Sequence, residues 1–253
     1  MKRVLIYTVL LFVAIVARGA ESASLEHWEV GNKAYAAREY DKAIEEYNAI
    51  LEGGEYSLEL YYNLANAYFK ADSLGKAILY YNKALRINPS QEDLVHNLAF
   101  AEARTKDKVA EMPEFFLNGW IRSVRNTLSC TAWSVMSLVA LGLFLAFVLL
   151  FLLASAVKVR KAGFFGTLAA LVLGIVVTSF AISSRNNMLE HDEAIVMASA
   201  ISIKSSPDAS ATDLFVLHEG TKVRIVAEID EWREVTLADG KKGWVEAKNI
   251  EEI

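Results

Sequence analysis

The fold of the first half of the chain is decided by residues 61–89, which read YYNLANAYFKADSLGKAILYYNKALRINP. The same pattern of small and aromatic residues occurs 34 positions earlier, where Gly31–Tyr35 corresponds to Ala65–Phe69. Repetition at a period of this length is typical of stacked supersecondary units. Ala43 and Ala77 occupy equivalent positions, and their small side chains allow two antiparallel helices to approach closely. Each copy therefore predicts a helix–turn–helix unit.

This period and pattern resemble the tetratricopeptide repeat. The second copy carries the resemblance best, at Tyr61, Leu64, Ala65, Tyr68, Ala77, Tyr81, Ala84 and Pro89. A third copy begins at Glu92, but the polar run 104–108 replaces its second helix. That arrangement suits the end of an array, because a terminal repeat needs one face in water. We expect a tetratricopeptide repeat domain over residues 24–110.

Stacked repeats of this family form a concave groove lined by the first helix of each pair. The resemblance assigns the following residues to a partner-binding groove: Trp28, Asn32, Tyr35, Tyr62, Asn63, Asn66, Phe69, Lys70, His96, Asn97 and Phe100. Aromatic side chains supply rigid contact area, and asparagines can hydrogen-bond the main chain of an extended peptide. The alternative is that several of these aromatic residues pack between repeats.

Some repeats of this family grip a C-terminal carboxylate with two asparagines and three basic residues. Asn32 and Asn63 stand at the asparagine positions of that site. Its three basic positions are occupied by Trp28, Asp93 and Asn97, which carry no positive charge. We therefore do not expect a carboxylate clamp.

Two uncharged runs in the middle of the chain predict transmembrane helices over residues 132–157 and 162–184. A helix needs about 20 apolar residues to cross the hydrocarbon layer. The intervening residues 158–161 read KVRK, and short loops rich in Lys and Arg stay in the cytoplasm. This assignment makes 158–161 a cytoplasmic loop and places both flanking regions on the outer side of the membrane.

The N-terminus predicts a secretory signal peptide over residues 1–20. Lys2 and Arg3 precede the uncharged run 4–17, which is too short to span a membrane but fits the apolar core of a signal peptide. An uncleaved anchor is the alternative. A signal peptide also requires an extracytoplasmic N-terminal domain, in agreement with the loop charges. We expect a multi-pass protein of the inner membrane with both end domains in the periplasm.

Residues 113–130 predict an amphipathic segment at the membrane surface. Its apolar residues recur every three to five positions, while Arg122 and Arg125 lie on the other side of the helix. Trp120, together with Trp133 in the first span, would anchor it among the lipid headgroups. A plain linker is the alternative.

Period-two alternation begins after Glu190 and predicts about five short strands. They are residues 194–197, 200–204, 222–228, 233–237 and 243–246. Turn-forming residues separate them, and two tryptophans, Trp232 and Trp244, are included. This pattern predicts a small all-β barrel over residues 190–253.

The segments IKSSP (203–207), LHEGTKV (217–223) and GWV (243–245) resemble those of a bacterial SH3-like domain. Some relatives bind cell-wall peptides through this module. The resemblance makes Trp232 and Trp244 candidates for a cell-wall ligand site. In so small a barrel, at least one of them is expected to pack in the core.

Composition excludes several functional classes. The chain is 54% hydrophobic and has a mean hydropathy of +0.25, too apolar for an ordinary soluble domain. Residues 24–110 and 190–253 carry net charges of −4 and −7, so no basic patch suits nucleic acid. Cys130 is the sole cysteine. No motif for catalysis, cofactor binding or metal binding occurs, and His191-Asp192-Glu193 is interpreted as a solvated stretch beside the membrane. We expect no enzyme, no cofactor and no metal site.

The fold class expected is a multidomain membrane protein with an all-α repeat solenoid, two transmembrane helices and a small SH3-like barrel. This order of modules resembles the BatE family of Bacteroides aerotolerance proteins. The resemblance implies an inner-membrane protein of an envelope complex linked to stress or oxygen tolerance. Its implied partners are other Bat-type proteins, some with von Willebrand A domains, and indirectly a MoxR-type ATPase.

The main functional hypothesis is thus a non-enzymatic scaffold that binds protein partners through its repeat groove. The alternative is a cell-wall-binding membrane sensor whose SH3-like domain grips peptidoglycan. The cytoplasmic side offers only a short loop for passing on a signal, which favours the scaffold.

Overall fold

The computed structural model describes residues 24–110, 112, 115–190 and 192–253. The expected signal peptide, residues 1–20, lies outside these residues, as does His191. The described chain forms a helical repeat array, a helical hairpin and a β-sheet domain, in that order, as the sequence predicts.

Five helices make up the repeat array. They are α1 (24–36), α2 (Tyr40–Glu52), α3 (Leu58–Lys70), α4 (Leu74–Ile87) and α5 (Glu92–Glu102). Ser57 caps α3, because its hydroxyl accepts a hydrogen bond from the Leu60 amide at 3.0 Å. Arg38 and Asp72, one repeat apart, take up the left-handed conformation in equivalent turns, with φ of 65° and 62°. The 34-residue repeat is therefore present in the backbone conformation as well as in the sequence.

The core of the array consists of small residues opposite large aromatic ones. Ala43 and Ala77 are completely buried, and Tyr47 and Tyr81 beside them are 1% and 2% exposed. Gly31 allows this packing, since a Cβ there would lie 2.7 Å from Cε1 of Tyr47. Close helix approach thus depends on the small residues that define the repeat.

The middle of the chain forms α6 (Phe116–Arg125), α7 (Cys130–Leu153) and α8 (Val157–Leu189). By length and composition, α7 and α8 are candidate membrane spans. They pack side by side through glycines. A Cβ on Gly163 would lie 2.6 Å from the Phe151 amide nitrogen, and one on Gly166 would overlap the Phe147 ring.

The connection between α7 and α8 differs from the expected loop. Residues 158–161 belong to the first turns of α8, and the turn itself is made by residues 154–156. Lys and Arg are good helix formers and no glycine or proline interrupts KVRK, so the helix begins before these charges. At its other end, α8 continues beyond the expected boundary at Ser184 to Leu189.

The C-terminal domain is a seven-stranded antiparallel sheet in the order β3-β2-β6-β5-β4-β1-β7. Its strands are β1 (Glu193–Val196), β2 (Ala200–Lys204), β3 (Asp213–His218), β4 (Lys222–Ile229), β5 (Trp232–Thr236), β6 (Lys242–Glu246) and β7 (Ile250–Glu252).

Two of these strands, β3 and β7, are additional to those that the sequence predicts. In β3 the outward-facing Leu214 and Val216 are apolar, and so are the inward-facing Phe215 and Leu217. No period-two alternation of hydropathy therefore marks the strand in the sequence. Strand β7 has only three residues and pairs with β1. Its pairing is set by tertiary structure rather than by a local pattern.

The SH3-like domain docks on α4. Ile195 and Ile253 belong to the same hydrophobic cluster as the repeat core. Gly75 makes the approach close, since its amide donates to Glu219 Oε1 at 2.7 Å and a Cβ there would lie 2.8 Å from Glu219 Cγ. Two domains that the sequence describes separately are therefore packed together.

The polar run 104–108, expected to be the wet end of the array, binds the SH3-like domain instead. The Asp107 carboxylate accepts hydrogen bonds from the His218 amide at 2.7 Å, from His218 Nδ1 at 2.8 Å and from the Thr221 hydroxyl at 2.7 Å. Burial opposes ionisation of Asp107, but these hydrogen bonds outweigh it and hold its pKa below the ordinary value.

Candidate partner-binding groove

The predicted groove residues lie on α1, α3 and α5, whereas the SH3-like domain packs against α4. This division follows from the repeat, because the first helix of each pair faces one side of the array and the second helix faces the other. The structure therefore places the predicted residues on the first helices of the three repeats. Their contacts show which of them bond within the array and which are exposed.

Two of the predicted asparagines join α1 to α3. Asn32 Oδ1 accepts hydrogen bonds from the Tyr47 hydroxyl at 2.8 Å and from Asn63 Nδ2 at 3.2 Å. These two asparagines are the pair that a carboxylate clamp would use. Here the amide oxygen of Asn32 is already engaged within the array.

The same arrangement recurs in the next repeat and joins α3 to α5. Asn66 Oδ1 accepts from the Tyr81 hydroxyl at 2.6 Å and from Asn97 Nδ2 at 3.3 Å. Asn97 also donates to the Tyr62 hydroxyl at 3.0 Å. We call these two units the asparagine ladder: Tyr47, Asn32 and Asn63 form the first, and Tyr81, Asn66 and Asn97 form the second.

The asparagine ladder has a structural role that the repeat pattern does not predict. Burial raises the pKa of Tyr47 to about 12 and also raises that of Tyr81, so both hydroxyls stay protonated and donate. A signal is present in the sequence, because the spacing from Asn32 to Tyr47 equals that from Asn66 to Tyr81. Four asparagines expected to be available to a partner thus hold successive repeats in register.

Most of the predicted aromatic residues are half-buried. Trp28 lies 5.8 Å from the Tyr47 ring and Tyr35 lies 5.5 Å from that of Tyr40, measured between centroids. Trp28, Tyr35, Tyr62 and Phe69 all pack against the repeat core. The alternative interpretation, packing between repeats, accounts for much of their surface.

The most exposed part of the groove lies at its C-terminal end. Phe100 is 60% exposed, and its ring centroid lies 5.7 Å from that of Phe69. The Arg104 guanidinium sits 5.1 Å from the Phe69 centroid, at cation–π distance. Lys70, next to Phe69, is exposed, and so is His96 on α5. An aromatic surface with cationic neighbours is therefore available to a partner at α3 and α5.

Trp232 and Trp244 lie on the outer side of the sheet. Trp232 pairs with Glu246 and Trp244 pairs with Glu234, which puts both rings on one face of β5 and β6 as diagonal neighbours. The domain core on these strands is formed by Val235 and Val245, and neither tryptophan is among the side chains packed against it. The expectation that one of them fills the core is wrong, because the pleat turns both away from it.

Metal-binding geometry is not found in the described residues. No group of three His, Cys, Asp or Glu side chains within them is placed to hold an ion. Asp192 and Glu193 of the sequence cluster pair instead with Arg224 and Lys222, at 3.4 and 2.8 Å.

Comparison with known proteins finds a family model that matches part of each end domain. The tetratricopeptide repeat family model matches residues 58–91, and the bacterial SH3 domain model matches residues 199–251. No curated protein matches the chain. Both matched families are interaction modules rather than catalytic ones. The fold class is therefore confirmed: helical repeats and an SH3-like domain on either side of two apolar helices.

Proposed function

We propose that this protein is a membrane-anchored, non-enzymatic scaffold that binds a protein partner through the groove of its repeat domain. The observation that carries the proposal is the exposed ring of Phe100 against the half-buried Phe69, beside the asparagine ladder. The ladder fixes the spacing of α1, α3 and α5, so the surface is preorganised for binding and less ordering entropy is lost.

We further propose that both end domains are extracytoplasmic and that the protein acts in a Bat-type envelope complex. The order of modules and the KVRK sequence at the start of α8 support this placement. The implied partner is a membrane protein with a von Willebrand A domain, associated with a MoxR-type ATPase and with oxygen or stress tolerance.

The test compares two exposed aromatic residues of nearly equal accessibility. Phe100 is 60% exposed in the groove, and Tyr56 is 64% exposed in the connection between α2 and α3. Affinity purification of the full chain from solubilised membranes, with quantitative mass spectrometry, measures the partner retained by each variant.

Phe100→Ala should reduce retention of the partner by about tenfold or more, because aromatic anchors dominate interfaces. Tyr56→Ala should leave it at the wild-type level. Equal retention by both variants and the wild type would show that the groove is not the docking surface.

A second candidate function is favoured by the outward position of Trp232 and Trp244. We propose as the alternative that the SH3-like domain binds peptidoglycan and that the protein is a cell-wall-binding sensor. Neither ring fills the domain core, so Trp244→Ala should preserve folding while abolishing sedimentation of the full-length protein with purified cell wall. Sedimentation at the wild-type level would remove this alternative.

A further inference from the structure

The connection that leaves the repeat array lies on the SH3-like domain through alternate side chains. Asp107 and Val109 are half-buried, whereas Lys106, Lys108 and Ala110 are exposed. These residues belong to no helix or strand, and alternation with a period of two is that of an extended chain lying on a surface. The connection therefore has the form of an extended peptide bound along one side.

The carboxylate of Asp107 is held at both of its oxygens. Oδ2 accepts hydrogen bonds from the His218 amide and from the Thr221 hydroxyl, each at 2.7 Å, and Oδ1 accepts from His218 Nδ1 at 2.8 Å. Lys106 Nζ lies 2.8 Å from His218 Nε2, and an ammonium group can only donate, so Nε2 accepts and Nδ1 carries the proton. Three donors thus converge on one carboxylate, whose side chain is 16% exposed. Hydrogen bonds to an ionised acceptor are stronger than neutral ones, so this arrangement selects an acidic side chain.

The contacts after Asp107 involve an apolar side chain and the main chain. Val109 packs against the hydrophobic core of the SH3-like domain. The Met112 amide donates to the Ala238 carbonyl at 3.0 Å. The acidic residue is thus followed two positions later by an apolar residue, and each has its own place on the domain.

Two turns of the SH3-like domain provide these contacts. His218 and Thr221 lie at the turn between β3 and β4, and Ala238 lies in the turn between β5 and β6. Both turns are at the same end of the sheet, because Arg224 near the start of β4 pairs with Thr236 at the end of β5. We call this end of the domain, marked by His218, Thr221 and Ala238, the turn site.

The segment in the turn site is attached to its receptor by the chain itself. Asp107 and His218 are 111 positions apart, so the ligand side chain comes from the connection and its receptor from the SH3-like domain. A tethered segment is present at an effective concentration in the millimolar range. It fills the site whenever its intrinsic dissociation constant lies below that concentration. A free segment that makes the same contacts more strongly can therefore replace it.

We propose that the turn site is a peptide-binding site for extended segments that carry an acidic residue followed two positions later by an apolar one, and that Asp107 and Val109 fill it as an internal ligand. A partner segment of the same chemistry binds by displacing them. Displacement frees the connection between α5 and α6, so binding at the SH3-like domain changes how the repeat array is held. The turn site is separate from the repeat groove and from the face that carries Trp232 and Trp244.

Hydrogen exchange at the His218 amide reports whether the turn site is filled, because this amide donates to Asp107. D107A/V109A removes both inward side chains, so the amide should exchange about tenfold faster or more than in the wild type, measured on the full chain in neutral detergent. A peptide of residues 106–112, KDKVAEM, with both termini blocked, is then added at about 1 mM, comparable to the effective concentration of the tether. It should slow the exchange again by about twofold or more, since at least half of the sites are filled when the dissociation constant lies below the peptide concentration.

A matched variant and a matched peptide serve as controls. K108A/A110S changes two outward-facing residues of the same connection and keeps both inward ones. It should exchange as the wild type does, with or without peptide. A second peptide, with Ala in place of Asp107, should leave the exchange of D107A/V109A unchanged.

The amides of β5, which is paired with a strand on either side, show whether the domain stays folded. If they exchange as in the wild type and KDKVAEM has no effect, Asp107 and Val109 only pack and the proposal is wrong. Slowing by both peptides alike would also overturn it, because the carboxylate would then not be recognised. If β5 exchanges faster in D107A/V109A, Asp107→Ala alone, which keeps Val109 against the core, is judged by the same two criteria.

Discussion

The two faces of the repeat array differ in whether their contacts recur from one repeat to the next. On the groove face the asparagine ladder occurs twice, with the same atoms in successive repeats. On the opposite face the SH3-like domain packs against α4, whereas α2 is the helix at the equivalent place in the preceding repeat. Gly75 on α4 corresponds to Asp41 on α2, and only the glycine leaves room for Glu219. The groove face is thus made of residues that recur in each repeat. The face that binds the SH3-like domain, here called the docked face, depends on Gly75, a residue that does not recur.

The largest expected effect comes from replacing Gly75 of α4 by the residue at the equivalent position of α2, Asp41. Gly75→Asp makes α4 like α2, but the new side chain overlaps Glu219 and adds a like charge. Overpacking of this kind typically costs about 1–3 kcal/mol. Helix α4 itself should not suffer, because an acidic residue suits its first turn. Calorimetry of the full chain in detergent should then show the repeats and the SH3-like domain unfolding separately.

The matched control is the reverse change on α2. Asp41→Gly leaves the docked face untouched, so hydrogen exchange at the Gly220 amide, which donates to the Val196 carbonyl at 2.9 Å, should stay as in the wild type. In Gly75→Asp this amide should exchange faster. If both variants exchange like the wild type, the shape of α4 does not control docking.

The next effect tests the repeated face. Asn66→Ala removes the acceptor of the Tyr81 hydroxyl and of Asn97, and Tyr81 is 2% exposed. A buried hydroxyl left without a partner costs about 1–3 kcal/mol. Chemical denaturation should show this loss in the repeat domain.

Tyr81→Phe in the Asn66→Ala background should recover part of the lost stability, because the orphaned hydroxyl is then gone. A double-mutant cycle measures the coupling. Strictly additive losses would mean that the ladder contributes nothing as a unit. The repeated hydrogen bonds would then not be what distinguishes the groove from the docked face.

The sequence predicts what is periodic and local. The repeated pattern around Ala43 and Ala77 is sufficient for α1 to α5, and uncharged length is sufficient for α7 and α8. Strand β3 is not predicted because its outward-facing residues, Leu214 and Val216, are apolar like its inward-facing ones. The sequence therefore shows no alternation of apolar and polar residues there. The groove residues stay a prediction, although their helices and contacts are now known.

Docking could not be predicted from these patterns. Gly75 and Glu219 are 144 positions apart, and a single contact at that separation leaves no periodic trace. The hydrogen bonds of Asp107 to His218 and Thr221 have the same character. Such contacts depend on how two finished domains fit, which propensity and periodicity do not encode.

The smallest expected effect is a loosening of the docked face by acid. His218 and Thr221 hold the pKa of Asp107 below its unfolded value of about 3.9, with Lys106 Nζ on the far side of the ring, 2.8 Å from His218 Nε2. A carboxylate with a depressed pKa contributes stability at pH above its unfolded value and loses it as the pH falls through its folded value. Docking should therefore weaken as the pH falls below about 4. Hydrogen exchange at the His218 amide, which donates to Asp107, follows this contact directly.

Two variants test the assignment to Asp107. In Asp107→Asn the His218 amide should exchange faster at neutral pH and lose most of its acid dependence. In Asp72→Asn, where the lost carboxylate paired with Arg104 at an exposed site, the acid dependence should remain. An acid response unaltered in Asp107→Asn would assign the effect to Glu193, whose pKa is also lowered and which pairs with Arg86 of α4 at 3.6 Å.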